Sequence, residues 1–434
     1  MLKGVKNEKD AKFNVGQWLP SDQEFYNNWL KKVLKEAEAE QDQTLLPPVQ
    51  ALKDLIESDR YLWNLFHMMF EEVPAKYVET PMDTPAVHNY HQMLRVINRV
   101  MHRAPEFNAT GLVGFPINAI LDYPMATKAG YVAFMDPRVN QKLRDILDYW
   151  GRFLQSPDST YVLNRSKEGW LGDEALKSMC NAAYGENFHD IFACPNNDID
   201  QQYGFKSWDH FFTRTFNPGV RPVANADDPD SIANACESAP YRIAHNLPLK
   251  AKFWIKGQPY SLIDLLHNDS LTSEFVGGTL YQAFLSALSY HRWNSPVSGT
   301  VVKAYNLYGS YYSETLPQGF ENPNGPDPAA PNDSQAYITE TASRAVIFIK
   351  ADNPKIGLMC FVAVGMAEVS GNEITVKVGQ HINKGDQLGI FHFGGSTHVL
   401  LFRPGVNVKF NLHGQEPSLG SHNIKVHDEI ARVE

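Results

Sequence analysis

At 434 residues the chain is longer than a single hydrophobic core usually supports, so two domains are expected. Hydrophobic residues make up 43% and aromatic residues 12%, which excludes a disordered or low-complexity chain. A net charge of −10 argues against nucleic acid and against a generally anionic membrane surface as partners.

The four cysteines, Cys180, Cys194, Cys236 and Cys360, are widely spaced with no C-x-x-C, which points to a reducing compartment and no structural zinc. The N-terminus carries no apolar signal core. No stretch is long enough to span a bilayer, and 357–364 reads as a buried strand. A soluble, cytoplasmic protein with no integral membrane segment is expected.

Residues 21–40 open with a capping box, Ser21-Asp22-Gln23-Glu24, followed by a helical stripe of Phe25, Trp29, Leu30, Val33 and Leu34. The opposite face mixes Lys31, Lys32 and Lys35 with Glu36, Glu38 and Glu40, so packing against protein is expected rather than a membrane surface. Pro47-Pro48 ends the segment. Helical periodicity returns over 49–73 and 90–101. His88, His91 and His102 sit in or beside the latter without an H-E-x-x-H pattern; they read as structural, and no metal site is expected. Residues 111–134 are apolar but broken by Pro116, Pro124 and Gly130, as in a kinked pair of short helices or the wall of a pocket. A further helix is expected over 141–154. The turn-rich stretch 194–203 marks a boundary between a helical N-terminal domain, 1–200, and a second domain, 201–434.

From about Ile232 the pattern changes to short β-type runs: 345–350, 357–364, 373–378 and 388–393. Before these runs, 316–334 carries Pro317, Pro323, Pro326, Pro328 and Pro331 and reads as an exposed insertion or flexible loop. The fold class is α+β: a helical N-terminal domain followed by a strand-rich, β-sandwich-like catalytic domain.

One C-terminal stretch carries the chemistry. In Phe391-His392-Phe393-Gly394-Gly395-Ser396-Thr397-His398, followed by Val399 to Phe402, apolar segments flank two glycines and a serine. The pattern reads as strand, sharp turn, strand, and taken alone it is first an ordinary β-hairpin with a polar turn. Glycine tolerates strained backbone shapes and leaves the Gly395 carbonyl unshielded beside the Ser396 hydroxyl. A serine held on such a turn can attack the carbonyl that precedes it.

Other motifs change the weighting. Phe211-Phe212-Thr213-Arg214-Thr215-Phe216-Asn217-Pro218-Gly219, Lys256-Gly257-Gln258-Pro259-Tyr260-Ser261-Leu262, Tyr290-His291-Arg292-Trp293-Asn294-Ser295-Pro296 and Lys384-Gly385-Asp386 precede Gly394-Gly395-Ser396-Thr397. In this order and spacing they resemble the phosphatidylserine decarboxylase family of pyruvoyl enzymes, over about 203–434. The helical N-terminal part looks like the extension found in the soluble fungal, L-tryptophan decarboxylase-like branch of that family.

The resemblance implies self-cleavage between Gly395 and Ser396, giving a large chain 1–395 and a small chain 396–434 of the same precursor. Ser396 becomes a pyruvoyl group, with no PLP. The substrate amine would condense with it as a Schiff base before CO2 leaves. Of the residues able to shift and eliminate in this way, only serine yields pyruvoyl, and no standard side chain offers a ketone. The resemblance also implies an aspartate and histidines beside the serine. The aspartate position falls at Glu237, which reads equally as a surface carboxylate. The first histidine of the motif is His291, whose ordinary pKa suits a proton donor in decarboxylation. The second histidine position is Asn294, which cannot accept a proton at neutral pH. His291, His392 or His398 would have to replace that base, or cleavage is slow, or the protein is an uncleaved, catalytically silent relative.

The substrate expected is a soluble, aromatic L-amino acid, since the acidic chain shows no membrane anchor. Phosphatidylserine, giving phosphatidylethanolamine, is the alternative. A biotinyl or lipoyl carrier is a further reading of Ser295 to Lys303 with Val378 to Asp386, but the intervening Glu368 to Glu373 turn has no modifiable lysine.

Overall fold

The computed structural model describes residues 23–39, 44–74, 87–107, 116–255, 257–285, 288–323, 334–368, 371–393 and 396–434. The chain first lays down helices: α1 (Gln23–Ala39), α2 (Pro47–Ser58), α3 (Arg60–Glu71), α4 (Tyr90–Val100), α5 (Pro116–Met125), α6 (Lys128–Met135), α7 (Pro137–Leu154), α8 (Asp173–Ala182), α9 (Phe188–Ile191) and α10 (Trp208–Phe212). Two short helices follow later, α11 (Leu262–Leu265) and α12 (Gln335–Thr341). The expected helix over 49–73 is two helices. Asp59 interrupts it because its carboxylate accepts the N–H groups of Tyr61 and Leu62 and starts α3 afresh. The capping residues expected at Ser21 and Asp22 lie outside the described residues. The apolar stretch from Pro116 is a kinked pair, α5 and α6. A Cβ at Gly130 would fall 1.8 Å from the Pro124 carbonyl, so only glycine allows that approach.

Thirteen strands follow among the described residues: β1 (Ser231–Ala233), β2 (Ala239–His245), β3 (Thr279–Leu285), β4 (Arg292–Asn294), β5 (Gly299–Leu307), β6 (Arg344–Ala351), β7 (Leu358–Gly365), β8 (Gly371–Ile374), β9 (His381–Ile382), β10 (Gln387–His392), β11 (Ser396–Phe402), β12 (Val408–Phe410) and β13 (Glu429–Val433). A seven-stranded sheet has the order β2-β3-β11-β7-β6-β5-β9, and two three-stranded sheets have the orders β4-β10-β8 and β1-β13-β12. The strand expected over 373–378 begins earlier and stops at Ile374; the chain then turns, with Gly379 at φ +85°, and Val378 is exposed.

The seven-stranded sheet separates two cores. Alternate side chains of a strand face opposite ways. Val346, Phe348, Val362, Val364, Val399 and Leu401 join the helices in one core. Ile347, Ile349, Phe361, Leu400 and Phe402 face the other way, toward Trp293 and Phe391 of the small sheet. The α+β class is therefore seen, with the helical layer packed directly onto one face of the central sheet. The described part of the proline-rich segment is not a free loop: Phe320 N–H donates to the Ala126 carbonyl at 3.0 Å and its ring stacks on Tyr123. No helix among the described residues is long and apolar enough to cross a membrane.

Candidate active site

The stretch around the glycine pair is not a hairpin. β10 pairs with β4 and β8, whereas β11 pairs with β3 and β7. The chain leaves one sheet at His392 and enters another at Ser396. A local apolar pattern cannot tell a hairpin from such a crossing, because both need two strands and a turn. Gly394 and Gly395 lie outside the described residues.

Ser396 is the first residue of β11, with Leu285 on one side and Gly365 on the other. It is fully buried, and its hydroxyl has no hydrogen-bond partner among the described residues. Burying a hydroxyl unpaired is costly, so such a group invites a functional explanation. The neighbouring Thr397 faces the helical layer. Its hydroxyl donates to the Ala283 carbonyl at 2.9 Å and accepts from Gln282 Nε2 at 3.1 Å. Gln282 also donates to Thr339 Oγ1 at 2.8 Å and accepts from the Tyr260 hydroxyl at 2.5 Å. This is the place in the fold of the motif tyrosine, Tyr260.

On the other side of the glycines, Phe393 has φ +34°, a strained value for a non-glycine residue. Its ring is boxed in by Trp150 at 4.9 Å, Trp208 at 4.7 Å and Phe212 at 5.9 Å. His291 stacks on the same Phe212, centroids 3.9 Å apart, and its carbonyl accepts the Phe391 N–H at 2.8 Å. His291 is fully buried. Phe212 thus touches both the expected proton donor and the residue before the glycine pair.

The other histidines differ sharply. His398 is buried beside Tyr281 and Phe361, with no partner on either ring nitrogen among the described residues. Burial alone pushes its imidazole down to about 3, so it stays neutral. His392 is held at both ends: Nδ1 lies 3.0 Å from Asp209 Oδ1, and Nε2 lies 2.8 Å from Glu373 Oε2. Burial works against its charge, but the bonds and charges of Asp209 and Glu373 outweigh it and raise its pKa.

Glu237 is no surface carboxylate. It is fully buried, takes Arg221 Nε at 3.0 Å and Nη2 at 2.5 Å, and accepts the Val426 N–H at 2.7 Å. Burial raises its pKa, while Arg221 pulls it back. Among the described residues its carboxylate is thus held by an arginine and a backbone amide rather than by a histidine. Asn294 donates through Nδ2 to the Gly385 carbonyl at 2.9 Å, tying two of the sequence motifs together. Glu368, read in the sequence only as the start of a turn, is buried at the N-terminus of α5, where it accepts the N–H groups of Ile117 and Asn118 at 2.6 and 2.8 Å. Burial pushes it up to about 7 against those bonds. Only its position after the apolar run 358–366 hinted at burial. Among the described residues no group of three or more His, Cys, Asp or Glu is arranged to hold a metal ion.

Residues 46–179 and 208–426 match two family profiles, both described as phosphatidylserine decarboxylase. Decarboxylase iboD of Amanita muscaria is 42% identical over 328 residues, covering 74% of this chain and 91% of that protein. The chain belongs to the phosphatidylserine decarboxylase family. Similar relatives include the L-tryptophan decarboxylase of Psilocybe cubensis, 38% identical over 83% of this chain and 81% of its own length. That of Psilocybe cyanescens is 36% identical over 89% and 88%. A phosphatidylserine decarboxylase proenzyme of Schizosaccharomyces pombe is 32% identical over 48% of this chain and 20% of its own length. These phosphatidylserine decarboxylase-family relatives support a decarboxylase, that is carboxy-lyase, activity for the chain.

Proposed function

We propose that the chain is a pyruvoyl-dependent decarboxylase, matured by cleavage between Gly395 and Ser396, that converts a soluble aromatic L-amino acid to its amine and CO2. The observation that carries this reading is the Ser396 hydroxyl, buried and without a hydrogen-bond partner among the described residues, at the first residue of a central strand and directly after two glycines in sequence. The site fits the pyruvoyl group: Ser396 would supply it, and the strained Phe393 preceding the glycines is clamped by three rings. When formed, that group supplies an electrophilic carbonyl and an electron sink for the substrate amine.

The chain's own residues do the rest. Phe212 orients His291 by stacking, so that the imidazole can deliver a proton to the substrate's α-carbon. The aromatic rings packed around Phe393 and His291 are in keeping with the tryptophan substrate in the names of the Psilocybe relatives. The small chain 396–434 would stay attached after cleavage, because β11 lies between β3 and β7 and β13 pairs with β1.

The test is intact-mass measurement of purified protein, followed by an amine-product assay across the free L-amino acids and phosphatidylserine vesicles. Wild type should give fragments 1–395 and 396–434 and form amine from aromatic amino acids. Ser396→Ala should give neither fragments nor amine. Activity retained in Ser396→Ala would remove the pyruvoyl assignment, and product from the vesicles alone would move the substrate to phosphatidylserine.

A further inference from the structure

The residue before the strained turn, His392, sits between two carboxylates from different parts of the fold. Asp209 belongs to α10, in contact with the helical layer, and Glu373 belongs to β8 of the small sheet. Carboxylates only accept hydrogen bonds, so both links exist together only when the imidazole carries both protons and donates from Nδ1 and Nε2. The same helix α10 holds the next residue as well: Trp208 and Phe212 flank the Phe393 ring on either side of Asp209 in sequence. One short helix therefore grips two consecutive residues, His392 by charge and Phe393 by packing. Four residues after His392 comes Ser396, whose place is fixed independently by β3 and β7. The far side is equally close: a Cβ at Gly371, the β8 partner of His392, would come 2.9 Å from the His392 Cβ.

The geometry points to His392 as a positioning residue for self-cleavage: as the imidazolium between Asp209 and Glu373, it anchors the strand end that precedes the glycine pair and Ser396 in sequence. This rests on the reading of Ser396 as the self-cleaving serine. With both nitrogens donating, His392 has no lone pair for the Ser396 proton, which separates this role from that of a base. The other charged or titratable groups on the elements packed against it are His210 on α10 and Arg292 on β4. Arg292 is turned to the Thr213 carbonyl and Gln387, so Asp209 and Glu373 are the charges that His392 meets. A charge-assisted pair is lost when the imidazole becomes neutral, and the strand end is then tied on one side only. The anchor therefore weakens at alkaline pH.

The experiment follows fragment appearance by intact mass in freshly synthesised wild type, His392→Gln, His392→Arg and Asp209→Asn, from pH 6 to 9. Turnover and KM are then measured on the cleaved fraction of each. Glutamine cannot carry charge, so His392→Gln should cleave about tenfold or more slowly, the scale of one lost charged hydrogen bond. Arginine donates to both carboxylates at every pH, so His392→Arg should restore cleavage and lessen its decline at alkaline pH. Asp209→Asn should slow cleavage as His392→Gln does, and it serves in its place if the glutamine variant does not fold. Once cleaved, all variants should keep kcat and KM within about threefold of wild type, well short of the hundredfold expected for a positioned acid. Cleavage at the wild-type rate in His392→Gln and Asp209→Asn overturns the anchor and leaves the function intact. Equal losses in cleavage and turnover without rescue by arginine also overturn it, in favour of a purely structural role. A wild type that never cleaves removes the self-cleavage reading and the anchor with it.

Discussion

Trp150 on α7 sets its indole edge-on to the ring of Phe393, 4.9 Å between centroids, and so the helical layer reaches the residue that precedes the glycine pair. The indole is itself tied down, with Nε1 donating to the Arg103 carbonyl at 2.8 Å. Trp150→Ala removes a buried ring, its hydrogen bond and one wall around a strained residue. It should destabilise the protein by about 3–5 kcal/mol, the usual cost of a large-to-small aromatic change in a core. It should also slow fragment formation. Urea unfolding and an intact-mass time course measure the two effects, and unaltered cleavage would show that Trp208 and Phe212 suffice to hold Phe393.

His291 carries a prediction about turnover rather than maturation. It is buried and stacked at 3.9 Å on Phe212, an arrangement that fixes the ring plane. His291→Ala should lower turnover of cleaved protein by roughly a hundredfold or more, the scale of a positioned acid. Phe212→Leu, which loosens the ring without removing it, should fall between the two. Unchanged turnover in cleaved His291→Ala would take this histidine out of the reaction.

How much of this was legible in the sequence differs from residue to residue. The helices announced themselves by periodicity, since an apolar stripe on α4 or α7 has one way to be buried. The break at Asp59 did not, because its side chain competes with the helix only through two backbone bonds. Ser396 stood out by its glycines, but the strands on either side read as one hairpin, since sheet membership depends on partners far away in the chain. Glu237 read equally as a surface group. Its burial depends on Arg221, 16 residues away, and on the Val426 N–H from near the C-terminus. Asn294 was visible only as a departure from a motif, and its bond to Gly385 needed the fold. His392 alternates with phenylalanines like any strand residue, and nothing local marks the two carboxylates that meet it.

Glu368 sets a pH dependence. Its carboxyl is pushed from an ordinary 4.5 up to about 7 by burial. A group whose folded pKa is raised adds stability that is fully present below its unfolded value and is lost as pH rises through the folded one. The window is therefore from pH 4.5 to about 7, and the ionised form costs up to about 3 kcal/mol across it. Glu368→Gln keeps an oxygen for the Ile117 and Asn118 N–H groups but does not ionise. Urea unfolding at a series of pH values should show wild type losing stability relative to the glutamine variant as pH rises through that window. Parallel curves would mean that Glu368 titrates normally.

The last prediction concerns the polar chain beneath Ser396. Gln282 joins Tyr260, Thr339 and Thr397 in a fully buried network. In Gln282→Leu the threonine hydroxyls keep their own acceptors, the carbonyls of Ala283 and Gln335, and so lose little. Tyr260 is different: its hydroxyl donates to Gln282 Oε1, and leucine would leave that buried donor unpaired. The cost should be about 1–3 kcal/mol, the desolvation of one orphaned group. Tyr260→Phe alone should cost a similar or smaller amount. In the double variant no orphan remains, so the two effects should fall short of additivity by about 1 kcal/mol. Full additivity by urea unfolding would show that water or another group takes the Tyr260 proton in place of Gln282. Fragment formation in the same proteins tests the link to the neighbouring residue: in every variant lacking Gln282, Thr397 keeps its bond to the Ala283 carbonyl but loses the one from Gln282, slowing cleavage at Ser396, while Tyr260→Phe alone leaves the Gln282–Thr397 bond in place and should mature faster than either.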